Sequence, residues 1–297
     1  MNLIRTALLL AALTALFITV GFFFGGESGA LVALLLALAM NGFAWWNSAR
    51  LVLAMHHARP VTPDQAAELY RLVAQLAARA GLPTPRVYLI ASDQPNAFAT
   101  GRSPADAAVV VTRGLVHLLD REELAGVIAH ELAHIRNRDT LIMTIAATLA
   151  GAIGFLANFL FFFGRGDSRD SPLGGVGALL LMLLAPLAAT LLQLAISRAR
   201  EFEADRTGAR ICGHPRWLAR ALAKIERGAA RVPLMTAEAH PATAALFIVH
   251  PLRGGLSGLF RTHPPTEERI RRLLALEAGA EEPLPRRRYG SVPITRR

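Results

Sequence analysis

Four apolar runs set the first constraint on this chain. Residues 6–24, 29–46, 141–163 and 173–196 each come close to the roughly 20 residues that cross a bilayer as a helix. Composition agrees: 18% of residues are charged, where soluble domains carry about a quarter. The turn Gly25-Gly26-Glu27-Ser28 separates the first two runs, and residues 164–172 separate the last two. The runs therefore pair into two helical hairpins. The first, with Arg5 before it, has the outline of a signal peptide, but it is long for that apolar middle and no clear small-residue cleavage site follows. Trp45-Trp46 closes the second run as an interfacial belt would. Pro186 predicts a kink in the fourth. Asn41, Asn158 and Gln193, inside the runs, point to hydrogen bonds between helices.

The net charge is +10, and Lys224 is the only lysine. Arginine is absent from the first turn and abundant in residues 50–138 and after 196. Loops rich in positive charge stay in the cytoplasm, which places both termini and the long segments there and both short loops outside. In the loop 164–172, Arg165 and Arg169 are offset by Asp167 and Asp170. The expected location is a cell membrane, crossed several times. A basic chain also invites nucleic acid, but no aromatic-basic interleaving or recognition motif supports that partner. Cys212 is the sole cysteine, so no intramolecular disulfide forms; it is expected to be a small buried apolar residue.

These features divide the chain into a transmembrane hairpin (1–49), a first cytoplasmic part (50–140), a second hairpin (141–196), a second cytoplasmic part (197–278) and a disordered basic tail (279–297). In the first cytoplasmic part, Thr62-Pro63-Asp64-Gln65 predicts a helix start and Gly81-Leu82-Pro83 its stop. Residues 86–91, 96–101 and 107–112 alternate as strands, predicting a small antiparallel sheet. Asp120 with Glu123 forms a capping pattern that opens a further helix. In the second part, the helix of the fourth run is expected to continue through Arg210, with others over 215–227 and from Pro264 or Thr266 to Leu276. Residues 232–257 look irregular.

The helix that Asp120 opens carries His130-Glu131-Leu132-Ala133-His134. Residues four apart share a helix face, so both imidazoles can reach one metal. Glu131 beside them can take a proton from water that the metal activates. Catalytic zinc needs a third protein ligand and an open position. His134 precedes the third run by seven residues, and Glu201 follows the fourth by five. If both helices continue straight, the two sites sit about 7–10 Å above the membrane at 1.5 Å per residue. Antiparallel neighbours then present Glu201 to His130 and His134, while Glu203 points about 200° away around the helix. Asp205, one turn after Glu201, could hold the second nitrogen of a ligating histidine. The alternative is a solvated face in which Glu201 and Asp205 pair with Arg198, Arg200 and Arg206.

The chain resembles the HtpX family of membrane zinc metallopeptidases, relatives of the CAAX prenyl endopeptidases in the gluzincin group. The matching stretches are His130 to Asp139, Ser197 to Asp205, Asn96 to Gly101, and Thr262-His263-Pro264-Pro265. The resemblance implies one Zn2+ per chain with Glu201 as third ligand. It also implies cleavage of damaged or misfolded membrane proteins during stress. The expected fold is mainly helical α+β: two membrane hairpins carrying a zincin-like cytoplasmic domain. His263 and Arg200 are candidates to stabilise the oxyanion, and no spacing selects between them. Asn96, Ala97, Phe98 and Ala99 are candidates for a strand that pairs with extended substrate, or for an ordinary internal strand. Partners are protein or peptide substrates and membrane lipids. His56, His57, His117, His214, His240 and His250 have no partner spacing and are read as structural. A prenyl-protein endopeptidase would share this chemistry. A zinc-binding membrane scaffold would not need Glu131. An intramembrane protease is disfavoured by the charges at Asp120, Arg121, Glu122, Glu123, Arg136, Arg138 and Asp139.

Overall fold

The computed structural model describes residues 2–163, 197–252 and 263–278. The first helix, α1 (Asn2–Met55), is broken at Gly25 and Gly26. Gly26 has φ 59° and ψ −145°, a conformation open to glycine but not to residues with a Cβ. The halves return on each other: Asn41 Nδ2 donates to Thr14 Oγ1 at 2.9 Å and to the Leu10 carbonyl at 3.4 Å. The part from Gly25 to Met55 is long and apolar enough to cross a membrane. Its Leu31, Val32, Leu35, Phe43 and Trp46 are exposed, as lipid-facing side chains are. The fourth run, with Pro186 and Gln193, and the side chain of Asn158 lie outside the described residues. Among the described residues, the protein is mostly helical with one candidate membrane helix.

Strands β1 (Arg59–Pro60), β2 (Arg86–Ile90), β3 (Ala97–Gly101) and β4 (Ala107–Thr112) form one sheet in the order β1-β2-β4-β3. The sheet is mixed rather than antiparallel: β2 runs parallel to β4, and β3 runs antiparallel to it. The reason lies in the connection after β2. Gly114 N–H donates to the Ser92 carbonyl at 2.9 Å, so the chain crosses the end of β4 before returning along its far side. That leaves β3 at an edge. Alternation sends Val87, Ala97, Ala99, Val109 and Val111 to one face and Ile90, Phe98 and Val110 to the other. Helices α2 (Ala67–Ala80) and α4 (Arg121–Asn137) cover the first face. The second packs on α1 and on α5 (Asp139–Phe163), whose residues Leu141 to Ala150 are largely buried in protein.

The helix predicted from Thr62 begins only at Ala67, because Thr62 N–H bonds to Gln65 Oε1 at 3.1 Å in a preceding turn. The capping pattern before α4 is complete: Glu123 N–H donates to Asp120 Oδ1 at 2.9 Å, and Asp120 N–H to Glu123 Oε2 at 3.1 Å. A short helix α3 (Arg113–Leu118) precedes it. After the undescribed stretch come α6 (Arg198–Cys212), α7 (Pro215–Ala229), α8 (Met235–Ala239), a 3-10 turn (Pro241–Leu246) and α9 (Thr266–Ala278). Residues 235–246, expected to be irregular, thus hold short helical turns. Two expected continuities are broken. Arg138, at φ 60°, separates α4 from α5. Ser197, with φ −112° and ψ 130°, starts α6 from extended backbone rather than from the fourth run.

Candidate metal centre

Helix α4 is buried on almost every side, which puts polar residues in its second half inside the protein. Helix α6 closes on it at Gly208, where a Cβ would stand 2.9 Å from His130 Cα. Any larger residue would hold the helices apart. This packing, not straight extension of membrane helices, brings Glu201 opposite His130 and His134. One ligand atom from each of the three residues lies within 4.8 Å of the others, and all three residues are buried. His134 Nε2 is 3.2 Å from His130 Nε2 and 3.5 Å from Glu201 Oε1, and His130 Nε2 is 3.9 Å from Glu201 Oε2. Two nitrogens about 2.0–2.1 Å from one zinc in a tetrahedron stand roughly 3.3 Å apart. The donor types and their spacing therefore fit a divalent metal of that kind.

A buried shell holds these donors. His130 Nδ1 lies 2.9 Å from Asp205 Oδ1. His134 Nδ1 lies 3.2 Å from Asp139 Oδ2. Each imidazole so meets a carboxylate on its far nitrogen, which orients Nε2 toward the centre. Asp205 is gripped in turn by Arg269 of α9, Nη2 to Oδ1 at 2.7 Å and Nε to Oδ2 at 2.9 Å. His263 Nδ1 is 3.0 Å from Glu201 Oε2, and its Nε2 lies 3.2 Å from the Ala245 carbonyl. Arg200 Nε stands 3.8 Å from Asp139 Oδ1. Glu203 instead pairs with Arg206 at 3.9 Å on an exposed face.

The electrostatics follow from burial and pairing. Burial lowers His130 to about 4 against the pull of Asp205. Burial also opposes the charge on His134, but Asp139 and Glu201 outweigh it and raise His134 to about 9. The two Nε2 atoms face each other at 3.2 Å, and a metal held between them takes both imidazoles with those nitrogens unprotonated. Burial would raise Glu201 and Asp205. His263 holds Glu201 well below the usual carboxylate range, and Arg269 brings Asp205 to about 2. Glu131 differs: burial raises it to about 7. Its carboxylate accepts from the Ala99 amide, while Oε1 is buried without a hydrogen-bond partner among the described residues.

The structure thus gathers His130, Glu131, His134, Glu201, Asp205 and His263, with Arg200 behind Asp139. It places β3 against Glu131 and Asn96 at the strand's entry. Sequence reasoning missed Asp139 and Arg269 as partners. Arg269 had a signal: it shares a helix line with Leu273 and Leu276, an arginine on an apolar face. Of the histidines read as structural, His56 is buried between Thr236 and Thr243, each hydroxyl 2.9 Å from a ring nitrogen.

A profile of peptidase family M48 matches residues 63–277. Among solved structures, the crystal structure of S. mikatae Ste24p is similar at 22% identity with a TM-score of 0.42. That alignment covers 89% of this chain and 65% of the other, so this chain spans less than two thirds of that protein's length. The family profile takes in every residue of the centre just described, and the chain belongs to the metallopeptidases of family M48.

Proposed function

We propose that this chain is an integral-membrane zinc endopeptidase that hydrolyses misfolded or damaged membrane proteins at the cytoplasmic face. One observation carries the reading: His130, His134 and Glu201 converge in a buried cluster beside a Glu131 whose carboxyl sits near neutrality at about 7. Zinc, when held there, supplies a Lewis acid that makes water nucleophilic near neutral pH and polarises the scissile carbonyl. His130, His134 and Glu201 hold it, and Asp205 and Asp139 fix the two rings. Glu131 takes the proton of the attacking water and returns it to the leaving amine, a role suited to a group that titrates near the working pH. His263, beside Glu201, and Arg200, behind Asp139, are the candidates to stabilise the oxyanion. Asn96, Ala97, Phe98 and Ala99 offer an edge to extended substrate. The apolar hairpin and the arginine distribution support a multi-pass membrane setting.

The test uses the full chain in proteoliposomes with a membrane-anchored, unfolded substrate. Cleavage on the arginine-rich side, lost with a chelator and restored by stoichiometric zinc, is the expected result. Cleavage that survives metal removal, or a zinc-loaded protein that leaves anchored and soluble unfolded chains intact, contradicts the reading.

A further inference from the structure

The centre is closed. His130, Glu131, His134 and Glu201 are each buried, and so is every residue of β3. A groove of about 290 Å³ does open on the surface, but Leu72, Leu76, Arg79, Arg121 and Trp217 line it, away from the donors. An extended substrate cannot reach β3 without displacing something, and the hydrogen bonds show what.

The Asn96 carbonyl accepts inward from Thr112 N–H at 3.0 Å, so the groups of the next residue, Ala97, point out from the sheet. The Ala97 carbonyl is already taken: Ile248 N–H donates to it at 2.9 Å. Asn96 clasps the following residue, with Nδ2 donating to the Val249 carbonyl at 2.9 Å and Oδ1 3.4 Å from Val249 N–H. Arg269 Nη1 donates to the Ile248 carbonyl at 2.8 Å, with the same guanidinium that grips Asp205. Phe247 packs edge-on against Phe98 at 4.9 Å and against His56 at 5.0 Å. His56, just past α1, also binds Thr236 and Thr243 in the turns that lead into this segment.

We infer that Phe247 to Val249 is a strap seated in the backbone position that an extended polypeptide substrate takes on β3, and that it leaves Ala97 when substrate binds. This rests on the proposed peptidase reading. The Ile248 N–H to Ala97 carbonyl bond is the bond a substrate backbone amide would make in its place. Substrate binding then exchanges one strand-like contact for another, and each residue that holds the strap tunes the exchange. Asn96 and Arg269 hold it from the catalytic domain, and His56 from the end of the membrane hairpin.

Two arms test this on the full, zinc-loaded protein in detergent, with a reduced and alkylated unfolded protein as probe. The first follows amide exchange in Glu131→Gln, with probe binding read by fluorescence anisotropy in the same sample. Exchange at Ile248 and Val249 is expected to accelerate about tenfold or more on saturation, as a released segment loses its protection. Unchanged or slower exchange while the probe is bound overturns the strap. The second compares kinetics of Ile248→Pro, which deletes the donated N–H, with Ile248→Val, which keeps it. The proline variant is expected to lower KM about fivefold with kcat within about twofold, and the valine variant to leave both unchanged. A folded, zinc-loaded Ile248→Pro with an unchanged or raised KM overturns it. Should that variant fail to fold, the exchange arm decides alone. A zinc-loaded wild type that cleaves neither this probe nor a membrane-anchored unfolded chain removes the peptidase reading, and the strap with it. A wild type that cleaves while the strap stays protected removes the strap only.

Discussion

His130 Nδ1 lies 2.9 Å from Asp205 Oδ1, so a carboxylate one turn beyond Glu201 orients the ring whose other nitrogen faces the candidate metal. Glu201 and Asp205 thus divide two tasks along one line of α6. Replacing Asp205 with Asn removes the charge behind His130 while keeping the shape. Zinc affinity is expected to fall about 10- to 100-fold, the usual effect of losing such a partner. Competition with a chromophoric chelator measures it, and unchanged affinity would remove Asp205 from that role.

Arg269 neutralises Asp205 with two parallel bonds, and both side chains are buried. Arg269→Gln leaves a carboxylate uncompensated inside the protein. The expected cost is about 3–5 kcal/mol of stability, typical of breaking a buried pair from one side. Arg269→Lys keeps the charge but not the fork, and should fall between Gln and wild type. Denaturant titration of the three proteins orders them.

Gly208 sets the distance between α6 and α4, since a Cβ there would stand 2.9 Å from His130 Cα and from His130 N. Both neighbours are backbone and cannot swing aside. Gly208→Ala is expected to cost about 1–3 kcal/mol as overpacking does, and to weaken zinc binding by moving Glu201 off His130 and His134. Metal content after dialysis, read beside the thermal midpoint, separates the two effects.

Burial lowers His56 from 6.5 to about 4, with His240 and His57 adding to it. The unfolded chain therefore takes up this proton at higher pH than the folded one. Stability from neutral His56 is full above pH 6.5 and is lost as pH falls toward about 4. The loss is on the order of 3 kcal/mol at 1.36 kcal/mol per unit. In His56→Gln the thermal midpoint should be lower at pH 7 but decline less between pH 6.5 and 4. Parallel pH profiles for the two proteins would contradict this.

Local chemistry was legible in the sequence. The spacing of His130 and His134, the Asp120–Glu123 cap and the alternation of β2, β3 and β4 each depend on neighbours a few residues away, and each element formed. Pairing was not legible. Nothing in the alternation says that β4 takes both β2 and β3 as partners, because that follows from the path through Ser92 and Gly114. Helix continuity failed for a related reason. Arg138 adopts a left-handed conformation that its residue type does not announce, and Ser197 begins α6 afresh. Glu201 still faces the two histidines, by way of the close approach at Gly208 rather than two straight helices. Arg269 stayed hidden because its partner, Asp205, lies 64 residues away in sequence.

The measurement that bears most directly on the account is cleavage of an unfolded protein by purified wild type and Glu131→Gln, each carrying one zinc per chain as determined by elemental analysis. Glu131 is not among the three donors of the cluster, which are His130, His134 and Glu201. Glu131→Gln is expected to keep its zinc and to lose cleavage by about 10²- to 10⁴-fold, the range for a general base. Equal cleavage by the two zinc-loaded proteins would contradict it.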